Sequence, residues 1–534
     1  MKKIQYLFVT IALGLVLTSC GDSFFNQQPE GGVLTEEQYA ILPDNLTGSI
    51  MGIYSRLYAY GDRHDEFGKR AIDMYGDIQS GDMAMPNDNY GWFVQYDRGY
   101  FYSQARSYMW SLYYEIINLT NLCAAAVEDN VQEMLDGIIS GDPTEATIEQ
   151  AYYYGQVLAL RGWCYANLLD FYTNPKDEIT DLDASLAIPL YTETDMKVAE
   201  LKGKPRATVA EVYNVIYEDL SQSVTLLDFY GQLHDRKSKL EIDADVARLI
   251  LAYAMLNHGH SEIIIADGKN AYDIAYEQAV AVIDGGKYPL LPKAELTTTG
   301  FSDLKAGDWM WGQDVTVETT TALASFFGHV DIHTYSYAAA GDFKQIDSKL
   351  YDEVVATKWD ARKNWFRASG TYKYCPDGKF YSPKYKSITD LKKVDRDWLC
   401  DNLFMRVSVA YLIAAEAAYR KSDEVNAVKY LKALCDERVI DGKDTEYNTW
   451  LGTLSGDALK EAIIYNWRVE MWGEGYGLQT LRRLSKTVTL GTNHQDARAS
   501  KAVNADERCQ CEIPTTETRY NPYISNKELQ QDND

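Results

Sequence analysis

Two stretches of the chain combine ring side chains with hydrogen-bonding ones in turn-rich surroundings. The first, NDNYGWFVQYDRGYFY (87–102), sets Tyr90, Trp92, Tyr96 and Tyr100 among asparagine, aspartate and arginine. The second, FFGHVDIHTYSYAAAGDF (326–343), offers Phe327, Tyr335 and Tyr337 and ends in a Gly-Asp turn. Aromatic faces pack against C–H surfaces, and tyrosine and tryptophan add a polar handle. Tyrosine has two χ angles to fix, so it makes contact area at low entropic cost. Such residues suit the holding of a ring with C–H faces and hydroxyl edges, as a neutral glycan presents. The chain has 41 Tyr and 11 Trp, many at helical spacing and expected in the core. Any one aromatic of the two stretches is as readily a core residue. Taken together, Tyr90, Trp92, Tyr96, Phe327, Tyr335 and Tyr337 point to ligand contact.

Other constellations carry less. His329 and His333 flank Asp331 at a spacing that would seat a metal on a helix, but the nearby glycine and the alternating pattern argue against a helix. No metal and no cofactor is expected. Asp73, Asp77 and Asp82 could accept sugar hydroxyls or bind calcium, and are read as loop caps. GEGYG (473–477) follows a helical pattern rather than a strand, so it is a helix stop and not a phosphate cradle. Trp309 and Trp311 alternate with Met310 and Gly312 as in a strand, and at least one belongs to the core. Cys509 and Cys511 read as unrelated thiols. No local motif nominates a glycosidase carboxylate pair, and G-x-S-x-G and H-E-x-x-H are absent.

The elements that must position these residues are mostly helices. Thr208 to Glu211 is a capping box, and Val212, Ile216, Leu220, Val224 and Leu227 behind it keep one helical face. Residues 147–172 predict a long helix with Ala151, Gly155, Ala159, Gly162 and Ala166 along one side, where a neighbour can approach closely. Residues 402–421 predict a helix through Leu403, Val407, Ala410, Ala414 and Ala417. Asp423 caps the next, so the pair forms an antiparallel hairpin. Several such hairpins suggest a tetratricopeptide-like stack, although no clean repeat period is present. Residues 61–100 and 286–400 are rich in glycine, aspartate, asparagine and tyrosine and read as loop and short-strand insertions, where function usually sits.

At the start, Lys2 and Lys3 precede a 14-residue apolar run, Ile4 to Leu17. As a helix it covers roughly 21 Å, short of a hydrocarbon core of about 30 Å. It reads as a signal peptide over residues 1–19. Leu17-Thr18-Ser19-Cys20 looks like a bacterial lipobox, in which Cys20 becomes the first residue and carries acyl chains. Residues 20–45, with Gln27-Gln28-Pro29 and Gly31-Gly32, read as a tether. The formal net charge of −26 disfavours nucleic acid and favours a neutral ligand or a basic protein partner.

Five segments carry a family resemblance: LALRGWCYANLLDFYTNP (158–175), PRATVAEVYNVIYEDLSQSVTLL (205–227), LFMRVSVAYLIAAEAAYR (403–420), IIYNWRVEMWGEGYGLQTLRRLS (463–485) and IPTTETRYNP (513–522). In order and spacing they resemble the SusD/RagB family of outer-membrane glycan-binding lipoproteins. Ser408-Val409 and Tyr476-Gly477-Leu478 depart from the usual pattern. The resemblance implies a mainly α fold, with about four degenerate tetratricopeptide-like helical pairs and long loop insertions, in a single nutrient-binding domain over residues 46–534. It implies a lipid-anchored protein on the outer face of the outer membrane, which captures an oligosaccharide and passes it to a SusC-like TonB-dependent transporter without breaking a bond. The alternatives are a lipid-anchored glycoside hydrolase and a peptide-binding helical scaffold.

Overall fold

The computed structural model describes residues 46–97, 103–141, 143–173, 181–197, 202–381, 398–504 and 511–524. The leader, Cys20, the tether, Tyr100 and Cys509 lie outside these residues. Ten helices of eleven or more residues occur among those described: α1 (Leu46–Arg56), α2 (Lys69–Ser80), α3 (Ser103–Ser140), α4 (Glu145–Tyr172), α5 (Val209–Leu233), α6 (Ala244–His258), α7 (Ala271–Gly285), α8 (Ser408–Arg420), α9 (Glu424–Asp436) and α10 (Gly456–Glu470). From α3 to α10 each packs against the next, so the stack expected from the hairpins is present. None of the described helices is long and apolar enough to cross a membrane.

Local signals account for much of this stack. The Thr208 hydroxyl accepts from the Glu211 N–H while the Glu211 carboxylate accepts from the Thr208 N–H, closing the capping box that starts α5. Asp423 caps α9 by accepting from the Asn426 N–H at 3.1 Å. The small stripe of α4 receives α5. A Cβ on Gly155 would stand 2.9 Å from Leu227 Cγ, and one on Gly162 would stand 2.8 Å from Leu220 Cγ. Beside this seam the buried Arg161 guanidinium donates two 2.7 Å bonds to the Asp219 carboxylate.

The structure departs from the sequence expectation in two segments. Residues 402–406 are not helical. They form strand Asn402–Arg406, antiparallel to strand Trp309–Gln313, and the helix begins only at Ser408. The reason is the partner: Trp309 and Trp311 are both fully buried, and a strand buried on both faces needs a ladder neighbour. The insertion over 61–100 is also not all loop, because α2 lies inside it with every residue buried.

The three aspartates, two on this helix and Asp82 just past it, divide: Asp77 caps a turn as expected, and Asp73 and Asp82 pair with cations instead. Asp73 pairs with Lys69 and Arg70 at 2.9 Å each. Asp77 accepts from the backbone N–H groups of Gly473 at 2.7 Å and Gly475 at 3.2 Å, so it holds the GEGYG turn that stops α10. Burial, with the Asp82 carboxylate next in weight, pushes the Asp77 carboxyl up to about 8. Asp82 pairs with Arg468 of α10 at 2.6 Å. Behind the turn lies a fully buried charge network. Glu470 accepts from Arg406 and Arg438 at 2.7 Å and from Arg362 at 3.1 Å, and Glu474 accepts from Arg406 and Lys379.

Candidate functional site

The loop 57–68 and the segment 87–92 meet the turn 331–343 at the surface. Gly68 ends the first loop at φ +74, where a Cβ would stand 2.0 Å from the Leu57 carbonyl oxygen, so only glycine closes it. Its N–H donates to the Tyr108 hydroxyl at 2.6 Å. The 87–92 segment is tied to the turn by amide side chains. Asn87 donates to the Gly341 carbonyl at 2.9 Å and Asn89 to that of Ala340 at 3.2 Å.

These ties assemble an aromatic cluster. Tyr90 meets Tyr337 edge to face at 5.2 Å. Trp92 stacks on the His64 imidazole at 5.4 Å and 10°, with the Arg63 guanidinium 5.0 Å from its ring centre. Tyr60 meets His64 at 5.9 Å. Tyr60, Tyr90 and Tyr335 keep 48%, 49% and 44% of their surface open to solvent, and Trp92 is half-buried between the rings. Beneath, the buried His329 stacks on Tyr337 at 4.6 Å, and its Nε2 lies 2.8 Å from the His64 carbonyl oxygen. Burial, reinforced by the Lys344 charge, holds His329 well below the usual histidine value, so the imidazole under the cluster is neutral. Lys344 is fully buried and pairs with Asp342 at 3.3 Å. Burial likewise raises the Tyr337 hydroxyl, against a hydrogen bond with the Trp92 side chain.

Of the six aromatics singled out in the sequence, Tyr90, Trp92 and Tyr337 come together here, with Tyr335 two residues away on the same turn. Tyr96 and Phe327 do not. Tyr96 lies in the single helical turn Val94–Asp97 and stacks on Tyr75 of α2 at 4.7 Å. Phe327 packs inside against Phe326 at 5.4 Å. Both are 3% exposed and belong to the core. His329 does stand in a helix, the short Phe326–Val330, but His333 lies beyond its end and bonds Asp377 at 2.6 Å instead. Sequence inspection missed Tyr60, Arg63 and His64. The available signal was the run YGDRHDEFG (60–68), a ring residue followed by charges and closed by glycine.

Profiles of known families match both halves of the chain. One, described as starch-binding and associating with the outer membrane, covers residues 50–251. The other, the SusD family, covers residues 320–533. The chain belongs to the SusD/RagB family. No curated protein matches the sequence. Among solved structures, a SusD-like carbohydrate binding protein from Bacteroides vulgatus superposes with a TM-score of 0.67 at 22% identity, over 90% of this chain and 97% of its own. A SusD superfamily protein from Bacteroides thetaiotaomicron gives 0.65 at 19% identity, over 90% and 99%. Surface glycan-binding protein A from Bacteroides thetaiotaomicron, solved with laminarihexaose, gives 0.60 at 15% identity, over 89% and 97%. At these identities the likeness is one of fold, and it extends over nearly the whole SusD-like body.

Proposed function

We propose that this SusD-family protein is a surface lipoprotein that binds an oligosaccharide and delivers it to a SusC-like TonB-dependent transporter, with no catalytic step. The observation that carries this is the cluster of Tyr60, Tyr90 and Trp92, open to solvent in part and braced by the buried Tyr337 and by His64. Rings held by neighbours lose little further freedom when a sugar face packs on them. Arg63 and the half-buried His64 add polar atoms at the rim. Two acids of the loop are engaged in holding it: Asp65 pairs with Arg63, and Glu66 accepts from the Asp62 N–H at 3.0 Å. The family's association with the outer membrane and a structural neighbour that is a surface glycan-binding protein solved with laminarihexaose support the same reading. In this proposal residues 1–19 are removed, Cys20 carries the lipid, residues 20–45 are the tether, and residues 46–534 form one nutrient-binding domain.

Titration of the full chain against plant, host and microbial glycans, with laminarihexaose among them, tests the binding step. The expected result is saturable binding to one class, weakened by Tyr90→Ala. Absence of binding to every glycan would overturn the proposal. New reducing ends on incubation with the bound glycan would overturn its non-catalytic part.

A further inference from the structure

A cavity of about 520 Å³ opens between α3, the 3-10 turn Glu193–Lys197 and the short helix Thr515–Tyr520. Nothing in the glycan proposal uses it. Its walls are aromatic: Trp110 and Tyr114, one helical turn apart, meet at 4.7 Å, and Tyr114 meets Tyr191 edge to face at 6.0 Å. Tyr520 stands at the mouth, 76% exposed.

Two carboxylates line the cavity, and they differ. Glu115 is neutralised by Arg56 at 3.0 Å. Glu517 pairs with no cation among the described residues. One of its oxygens accepts from the Asn521 amide at 2.8 Å and the other from the Trp110 indole N–H at 3.4 Å, both neutral donors. Among the described residues, the half-buried Glu517 therefore faces the aromatic walls with no cation paired to it. Its field reaches across the space. Burial first, and the Glu517 charge second, push the Tyr191 hydroxyl up to about 12. Lys204 is held by Asp195 at 3.0 Å and sits 5.7 Å from the Tyr191 ring centre.

Electron-rich ring faces and a carboxylate attract the same ligand class. An organic cation gains from the ring quadrupoles and from the anion, while its C–H surface fills the apolar space. A neutral alcohol gains only part of this, and a small metal ion has no use for the walls. We propose that this cavity binds an organic ammonium group, with the nitrogen against Glu517 and the carbon body on Trp110, Tyr114 and Tyr191. The inference is independent of the glycan proposal and survives its failure.

Calorimetric titration of the full chain with n-butylammonium and with glucosamine tests it, using 1-butanol and N-acetylglucosamine as the matched neutral compounds. The expected result is that each amine binds about tenfold or more tightly than its neutral partner. Glu517→Gln should remove that preference, and Tyr520→Ala, at an exposed site, should weaken both amines. A stronger glucosamine signal assigns the site to an amino sugar, and a stronger butylammonium signal to an amine on an alkyl stem; either order upholds the proposal. Equal affinity for charged and neutral partners would overturn it, as would amine binding unchanged by both substitutions.

Discussion

The Tyr337 hydroxyl and His64 Nδ1 lie 2.5 Å apart, although 273 positions separate them in the chain. Each belongs to a different insertion, and neither insertion has a regular element at that point. The contact, with the His329 stack below it, turns two irregular segments into one surface. Binding residues are often carried on loops positioned by a rigid scaffold. Here the scaffold is the helical stack, and the brace is aromatic and polar together.

Tyr90→Ala separates binding from folding at this surface. Tyr90 is half exposed and, among the described residues, its one ring contact is the edge of Tyr337. Its loss should lower thermal stability by less than about 1 kcal/mol, because exposed side chains away from the core contribute little. Glycan affinity in the same titration should fall several-fold. Trp92→Ala should cost both, about 1–2 kcal/mol of stability and most of the binding, since its indole is packed by His64 and Arg63. Unchanged affinity in both variants would place the glycan elsewhere.

His494 supplies a pH dependence. It is fully buried between two carboxylates, Nδ1 at 2.5 Å from Asp97 and Nε2 at 3.0 Å from Asp347, with Arg498 3.6 Å from Asp97. Burial opposes its charge, but the hydrogen bonds to Asp347 and Asp97 prevail, and its pKa stands above the ordinary 6.5. A raised folded-state pKa contributes stability that is fully present below about pH 6.5 and is lost as pH rises through the folded value. Melting temperatures of the native chain and of His494→Gln should therefore differ most near pH 6 and converge toward pH 9. A difference that is flat across that range would remove the charged histidine from this account.

The helical stack was largely legible because its signals are local. The capping box at Thr208 and the stripe around Gly155 and Gly162 each lie within a few turns of one helix, and each does in space what its spacing suggests. The strand over 402–406 was not, because Leu403 and Val407 fit a helical face equally well and the deciding ladder partner, Trp309–Gln313, is remote in sequence. The same limit divides the aromatics. Trp92 and Tyr96 sit four residues apart in one motif, yet Tyr96 is drawn inward by Tyr75 while Trp92 is held near the surface by His64. Nothing within residues 87–102 distinguishes them.

Gly475→Ala tests the turn that stops α10. Gly475 has φ +86, and a Cβ there would stand 2.8 Å from the Asp73 backbone Cα. An alanine must bear both the left-handed conformation and the clash, so the expected cost is about 2–4 kcal/mol in chemical denaturation. Gly52→Ala, inside α1 with nothing within 4 Å of the added Cβ, is the control. It should be neutral or stabilise by up to about 1 kcal/mol. Similar results for the two would contradict the geometry of the turn.

Glu470→Gln tests the buried network most directly, because it changes a charge and almost no shape. Burial alone would raise the Glu470 carboxyl, but Arg438 and Arg406 more than reverse this and hold it well below the usual glutamate range. Its stabilisation is therefore present above the unfolded value and lost only as pH falls through the depressed folded one. Removing the charge leaves Arg362, Arg406 and Arg438 in the interior with less negative charge to offset them. Breaking a buried pair on one side typically costs about 3–5 kcal/mol. The exposed pair Lys432–Asp436 on α9 makes an equally short contact, 2.7 Å, yet in water such a pair contributes only about 0.5 kcal/mol. Denaturation of Glu470→Gln beside Lys432→Ala should show that several-fold difference; equal losses would mean that burial does not set the strength of these ion pairs.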